Sequence, residues 1–272
     1  LESIAAVAGE DQIWTTRRCA ALGAISANSW NAGRMDDEAT ALATSLHLWL
    51  TRPSALADLK AYFAEPHGGR PGHSGYSGRF FERLGGGGDS PTVWDRFTAE
   101  DLLAVQMLSV SVPPETSIAI LHGELGRKLS MHLRRIPSDV ALGEPEAAEH
   151  IADGAAADRA WQLLNDQTDT GWVTAGKLMA RKRPHLLPVY DNVVSCALGK
   201  PKRLWQSLHA VLTTDTAGTR SRLVELRASA CIPAEVGELR ILDVVIWMGH
   251  RQQHQRTGCT APGIASLKEV SA

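Results

Sequence analysis

Long apolar runs, paired cysteines and alternating β-branched segments are all scarce in this 272-residue chain. No apolar run approaches the roughly 20 residues that a membrane-spanning helix needs, so we expect no membrane partner. The N-terminal segment, LESIAAVAGEDQIW, lacks the basic and then apolar order of a secretory signal. These absences predict a cytoplasmic protein.

The four cysteines are too scattered to form a metal-binding or iron–sulfur set. No CxxC pair occurs, and free thiols in a reducing compartment are the simplest interpretation. His250 and His254 are four residues apart on a predicted helix, but no Glu follows His250 as it does in the zinc-protease pattern. A partly buried helix face is the preferred interpretation, and the sequence predicts neither a metal site nor a cofactor.

Hairpin-closing dipeptides are also missing, whereas Ala, Leu, Arg, Glu and Gln recur at helical spacing. With 44% apolar and 21% charged residues, the composition is that of a globular protein. We therefore predict an all-α fold. The predicted helices are 36–50, 53–63, one that starts at 98 and stops before Pro113, then 114–135, 147–165, 173–181, 192–198, 203–212, 219–228 and 234–254.

Glycine is concentrated between residues 65 and 90. Because glycine favours loops, we predict a flexible stretch there, interrupted by a short aromatic helix at 79–84. The chain is therefore predicted to consist of an N-terminal helical region (1–97), a helical core (98–255) and a tail (256–272).

The most informative segment is 171–203, which we call the basic segment. It contains seven Lys or Arg residues and a single acid, Asp191, in a chain whose net charge is −2. Cations gathered on one surface bind phosphate backbones, and a solvated helix end is the alternative. Asp191 directly precedes a predicted helix, where its carboxylate could act only as a cap for backbone amides. It could also orient a water molecule or stabilise a developing cation.

Within this segment Gly171, the pair Thr174-Ala175, and Pro188-Val189 followed by Asp191 occur in a characteristic order. The order resembles that of the helix–hairpin–helix DNA glycosylases, in which a glycine hairpin leads into a helix beginning with Thr-Ala and then to a Pro-Val-Asp turn. The resemblance implies a helical, two-lobed fold with a cleft between subdomains and a hairpin-like segment at 169–199. It also implies an enzyme that flips a damaged or modified base out of duplex DNA and releases it.

The segment departs from the family pattern at three positions. Tyr190 is inserted before Asp191, Asp169 stands where the first hairpin glycine would be, and Val173 replaces the Schiff-base lysine of bifunctional members. The last change implies a monofunctional enzyme that uses water. Lys177 lies one helical turn after Val173 and is the alternative nucleophile.

The resemblance also assigns roles to individual residues. Asp191 is the predicted catalytic carboxylate, and Trp172 and Tyr190 are predicted to receive the flipped base. The predicted DNA contacts are Gly171, Thr174, Arg181, Lys182, Arg183, Lys200, Lys202 and Arg203. The expected partner is double-stranded DNA, bound by a monomer that acts in base excision repair or in defence against phages with modified DNA.

Two other interpretations of the basic segment assign it a binding role and no catalysis. In one, a helical module binds DNA or RNA and Asp191 is only a cap; in the other, the basic face docks an acidic protein. The segments RFFERLGGGGD, FTAEDLLAVQMLSVSVP and ARKRPHLLPVYDNVV also resemble a group of actinobacterial proteins of unknown function. That resemblance covers most of the chain and implies no activity.

Overall fold

A computed structural model describes residues 37–64 and 75–258 of the protein. Every regular element within these ranges is a helix, so the all-α prediction is confirmed. Part of the glycine-rich stretch (65–74) and the predicted tail from 259 onward lie outside the described residues. No helix in the described ranges combines the length and the apolar composition needed to cross a bilayer.

The described residues form twelve α-helices. Their bounds are α1 (37–51), α2 (Ala55–Phe63), α3 (Ala99–Gln106), α4 (Pro114–His122), α5 (Glu124–Leu133), α6 (Ala147–His150), α7 (Ala156–Asn165), α8 (Gly171–Lys182), α9 (Asn192–Ala197), α10 (Leu204–Thr214), α11 (Thr219–Ser229) and α12 (Glu238–Thr257). Two short 3₁₀ helices, Ser77–Phe80 and Leu84–Gly86, lie between α2 and α3.

Two of the predicted helices are broken in the structure. The helix predicted at 114–135 is two helices, α4 and α5, which meet at Gly123 in an extended conformation (φ −105°, ψ −172°). The helix predicted at 147–165 is α6 and α7, and Gly154 between them has a φ of +75°. The prediction missed both breaks because the helical spacing of apolar residues continues on either side of each glycine.

The described part of the glycine-rich stretch packs onto the core. Phe81 is buried, and the backbone has positive φ at Gly85, Gly86 and Gly87. The single helix predicted at 79–84 is replaced by the two 3₁₀ helices, with turn residues 81–83 between them.

A hydrophobic core runs through the described residues from Leu42 in α1 to Ile246 in α12. The longest helix, α12, packs against α2, α9 and α11. On the other side of the core, α8 packs against α3 and α7. These two helices, α8 and α12, carry most of the residues discussed below.

Candidate active site

Asp191 precedes α9 and caps it. Its Oδ1 accepts hydrogen bonds from the backbone amides of Val193 (3.0 Å) and Val194 (3.1 Å). Its other oxygen, Oδ2, lies 3.6 Å from Nζ of Lys177, and the side chain is 16% exposed. The predicted capping role is therefore confirmed, and it occupies only one of the two carboxylate oxygens.

Lys177 on α8 is the cation beside Asp191. Its Nζ donates a hydrogen bond to the carbonyl oxygen of Leu108 at 2.9 Å. Burial lowers the pKa of Lys177, although the carboxylates of Asp191 and Asp243 oppose that decrease. The structure thus brings the two predicted catalytic residues together.

Asp191 and Lys177 lie on the wall of a cavity of about 350 Å³, which we call the Asp191 cavity. The stacked rings of Tyr62 and Tyr76 contribute to its lining, with centroids 5.0 Å apart and planes 7° from parallel. Trp247 meets Tyr76 edge-on at 5.6 Å. Aromatic walls with a few convergent polar groups suit a planar, polar ligand.

A buried ion cluster on α12 borders the same cavity. Arg240 is paired with Asp243 and with Glu82, whose Oε1 lies 2.9 Å from Arg240 Nε. Arg240 also donates a hydrogen bond to the hydroxyl of Tyr62. Burial raises the pKa of Asp243 to about 7, against the effect of Arg240, and raises the pKa of Tyr62 to about 12. The cluster anchors the aromatic lining to α12.

The predicted base pocket, Trp172 and Tyr190, lines a different cavity of about 240 Å³, which we call the tryptophan cavity. The two rings lie 5.4 Å apart. The segment before α9 is not helical and Asp191 is extended. Because side chains alternate along an extended chain, Val189 and Asp191 line the Asp191 cavity while Pro188 and Tyr190 line the other. The prediction that Trp172 and Tyr190 surround the base at Asp191 is corrected accordingly.

The aromatic residues that do line the Asp191 cavity were missed from the sequence. Tyr62, Tyr76 and Trp247 are each more than 50 residues from Asp191 along the chain. The folding of α2 and α12 onto one another brings them together. No local pattern identifies such a set, because each residue taken alone has the spacing of a core aromatic.

Four of the seven cations in the basic segment are buried. Lys177, Arg181, Lys182 and Arg183 expose 4%, 2%, 0% and 1% of their surface, and Thr174 is also buried. A side chain inside the core cannot reach a phosphate on the protein surface. The prediction that Thr174, Arg181, Lys182 and Arg183 contact DNA is therefore wrong.

Two of these cations share one buried carboxylate. Asp101 Oδ1 accepts a hydrogen bond from Arg181 Nε at 3.0 Å, and Asp101 Oδ2 accepts one from Lys182 Nζ at 3.1 Å. Arg181 also donates to the carbonyl oxygens of Phe81, Glu82 and Leu84. The arginine therefore holds the glycine-rich turn in place from inside the protein.

Arg183 has no carboxylate within ion-pair distance among the described residues. Its guanidinium donates instead to carbonyl oxygens of Trp94 (2.9 Å), Ile136 (2.9 Å) and Leu133. Leu133 is the last residue of α5, where the helix dipole is negative. Burial lowers the pKa of Arg183 to about 10.

The remaining predicted DNA contacts lie at or near the surface. Gly171, Lys200 and Lys202 are exposed, and Arg203 is half-buried with its guanidinium 2.7 Å from Asp153. Their role as DNA contacts stays a prediction.

Cys196, His250 and His254 have potential ligand atoms within 4.8 Å of one another. Cys196 is disulfide-bonded, so the free-thiol interpretation is wrong for this residue and its sulfur is not a thiolate ligand. Cys231 is free and exposed. His250 packs against Trp49 with ring centroids 5.9 Å apart, in keeping with a buried helix face.

The fold and the site define an all-helical protein with a carboxylate and an amine paired on the wall of an aromatic-lined cavity. The chain belongs to a family of unknown function (DUF6308), whose model matches residues 55–250. Asp191, Lys177 and the aromatic residues of both cavities lie within this range. Comparisons with curated proteins and with solved structures found no match, so the resemblance to the helix–hairpin–helix glycosylases stays a prediction.

Proposed function

We propose that this protein is a monofunctional DNA glycosylase, which hydrolyses the N-glycosidic bond of a damaged or modified base. The observation that carries the proposal is the pairing of Asp191 with Lys177 on the wall of an aromatic-lined cavity. In this proposal the flipped base enters the cavity beside Tyr62 and Tyr76, and its sugar faces Asp191. The cavity serves as the cleft between two helical lobes.

The reaction needs a negative charge close to the sugar. As the bond between C1′ and the base nitrogen breaks, its electron pair leaves with the base and positive charge develops on the sugar. Oδ2 of Asp191 stabilises that charge. A water molecule then adds its oxygen to C1′ and transfers a proton to the carboxylate, which passes it to the departing base. The products are the free base and an abasic site.

Lys177 positions the carboxylate in this scheme. Its ammonium group lies 3.6 Å from Oδ2 of Asp191, and its hydrogen bond to the carbonyl oxygen of Leu108 connects the turn after α3 to the site. Val173, where bifunctional members of the resembled family carry their lysine, lines the same cavity with an apolar side chain. This apolar residue supports hydrolysis by water.

The turn between α7 and α8 supports a phosphate contact near the site. Asp169 has a φ of +58° and Gly171 a φ of +64°. Asp169 therefore adopts the left-handed conformation that glycine reaches at little cost, and the turn keeps a glycine-like backbone although one glycine is replaced. Lys200, Lys202 and Arg203 supply cations at the protein surface in the proposed complex.

The two non-catalytic interpretations depended on the basic segment being a surface feature. Because four of its seven cations are buried, only three cations of the segment remain for binding a nucleic acid or an acidic protein at the surface. No contact in the described residues favours either interpretation over the glycosylase.

Asp191→Asn is the variant that tests the proposal. Asparagine caps a helix about as well as aspartate does, so α9 is preserved while the negative charge is removed. Wild-type protein and variant are incubated with duplexes carrying deaminated, alkylated or phage-type hypermodified bases, and abasic sites are scored on gels after alkaline cleavage. We expect wild-type activity on at least one substrate and a loss of roughly 100-fold or more in the variant, with duplex binding retained.

The matched control is Asp139→Asn, which neutralises an exposed acid outside both cavities and should leave base release unchanged. Undiminished base release by Asp191→Asn would refute the assignment. Borohydride reduction during turnover tests whether the enzyme is monofunctional, because it traps a covalent Schiff base between a lysine and the sugar if one forms. A trapped protein–DNA adduct that disappears in Lys177→Ala would show amine catalysis instead of hydrolysis by water.

A further inference from the structure

The tryptophan cavity is lined by four aromatic side chains from separate parts of the fold. Trp161 is on α7, Trp172 on α8 and Trp205 on α10, and Tyr190 precedes α9. None of the four is fully buried, and Trp172 is 36% exposed. Large aromatic surfaces grouped around one opening mark a site that a ligand covers.

The charged side chains of this cavity have partners in the described ranges, apart from Lys202. Arg203 lies 2.7 Å from Asp153. Asp158 accepts hydrogen bonds from a backbone amide at 2.7 Å and from a glutamine side chain at 2.9 Å. Lys202 is exposed and has no ion-pair or hydrogen-bond partner in the described ranges. The charged side chain of the lining that has no partner in the described ranges is therefore a cation, which favours a ligand that is both aromatic and anionic.

We infer that the tryptophan cavity binds an unpaired nucleobase of a nucleic-acid strand, with the adjoining phosphate at Lys202. The inference rests on the proposed function in taking nucleic acid as the ligand. It adds a second base-binding site that is separate from the site of bond cleavage. Stacking on aromatic side chains tolerates any base, because every base has a π-face.

The position of the tryptophan cavity fits this role. Helix α8 lines both cavities, with Val173 and Lys177 on one side and Trp172 and Gly176 on the other. The extended segment before α9 also separates the two cavities. One substrate can therefore place one base at Asp191 and a second base across this shared wall.

Gly176 offers a way to close the tryptophan cavity without removing any aromatic ring. A Cβ added there would meet only Nε1 of Trp161, at 3.9 Å, which is ordinary van der Waals contact. Gly176→Leu therefore fills the space between the rings. Gly176→Ala, which adds one carbon, is the matched control, and both changes favour the helical conformation over glycine.

The test measures binding of a fluorescently labelled single-stranded oligothymidylate by anisotropy. The comparison probe has the same length and backbone but carries abasic sites in place of the bases. We expect the wild-type protein to bind the abasic strand about 10-fold more weakly. Gly176→Leu should bind the oligothymidylate about 10-fold more weakly than wild type, and Gly176→Ala within about 2-fold. Circular dichroism and thermal unfolding establish that both variants are folded.

Equal affinity for the two strands would overturn the inference, as would wild-type binding by folded Gly176→Leu. Binding of choline, but not of the oligothymidylate, would assign the cavity to a cationic ligand and also overturn it. The outcome separates the two proposals. If no substrate yields abasic sites but the Gly176→Leu defect persists, only the proposed function fails. If bases are released and Gly176→Leu binds normally, only the second base-binding site fails.

Discussion

Each buried cation of the basic segment has a different set of acceptors. Arg181 uses a carboxylate and three carbonyl groups, Lys182 uses that same carboxylate and the carbonyl group of Val93, and Arg183 uses carbonyl groups alone. Most of these acceptors are 80 to 100 residues away along the chain. A run of cations resembles a surface feature in sequence because carbonyl acceptors are present in every residue and leave no signature.

Asp101→Asn should destabilise the protein strongly. The change removes the only carboxylate of the Arg181–Lys182–Asp101 group among the described residues, and so leaves two buried cations without a counter-charge. We expect the free energy of unfolding to fall by about 3–5 kcal/mol, measured by urea denaturation. The control, Glu124→Gln, breaks an exposed pair with Arg127 and should cost less than about 1 kcal/mol. A decrease below about 1 kcal/mol for Asp101→Asn would contradict the role of this group.

Charge reversal at Lys182 or Arg183, which the surface interpretation would use to test DNA binding, instead disrupts the core. DNA binding by the protein surface is tested instead at the exposed residues Lys200 and Lys202. Lys200→Glu and Lys202→Glu should weaken duplex binding and lower the slope of log affinity against log salt by roughly 1 for each phosphate that the variant no longer binds. Lys128→Glu on the exposed face of α5 is the control. If it weakens duplex binding as much as the other two changes do, Lys200 and Lys202 do not form a specific DNA-binding surface.

The candidate site was only partly predictable at this scale. Asp191 and Lys177 could be proposed from the sequence, because a capping position and the face of a helix are local properties. The alternation in Pro188-Val189-Tyr190-Asp191 was also visible, since a period of two puts Tyr190 and Asp191 on opposite sides of an extended chain. The aromatic residues of the Asp191 cavity could not be predicted, because α2 and α12 meet only in the folded protein.

At the scale of single elements, helix positions were predictable while helix breaks were not. Apolar periodicity located α8 to α12 to within a few residues, but it ran through the junction of α4 and α5. That junction depends on a close approach, since a Cβ on Gly126 would lie 1.9 Å from the carbonyl oxygen of Ile120. Gly126 belongs to α5, but it is α4 that leaves no room for a side chain there. The sequence pattern of α5 alone does not show this contact.

Gly126→Ala and Gly176→Ala should therefore have opposite effects on stability. Alanine favours a helix over glycine by up to about 1 kcal/mol, and at position 176 the added carbon has room. At position 126 the clash with α4 should outweigh that gain and destabilise the protein by roughly 1–3 kcal/mol. Thermal unfolding of the two variants measures both changes. Stabilisation of the protein by Gly126→Ala would show that the helices separate easily.

Over the whole molecule, α12 links the core to the candidate active site. Its buried surface packs against α2, α9 and α11, and Arg240 and Asp243 extend that packing to the Asp191 cavity. Buried charges at this point make the stability of the fold depend on pH.

Burial raises the pKa of Asp243 from 3.8 to about 7, so the folded state holds this proton more tightly than the unfolded state does. The resulting stabilisation is fully present below about pH 4 and is lost as the pH rises through 7. We expect the free energy of unfolding to decrease over this range by roughly 2–4 kcal/mol through this group. Urea titrations across the range should show a smaller slope in Asp243→Asn, and an identical slope would contradict the assignment.

The three consecutive cations at the end of α8 also limit the order in which the chain can fold during synthesis. On the ribosome, the glycine-rich turn and the start of α3 emerge about 80 to 100 residues before Arg181 and Lys182, which later donate hydrogen bonds to them. At typical elongation rates this gap lasts on the order of 5 to 20 s. During that interval water solvates these carbonyl groups and the carboxylate of Asp101, and this part of the core stays incomplete until α8 is synthesised.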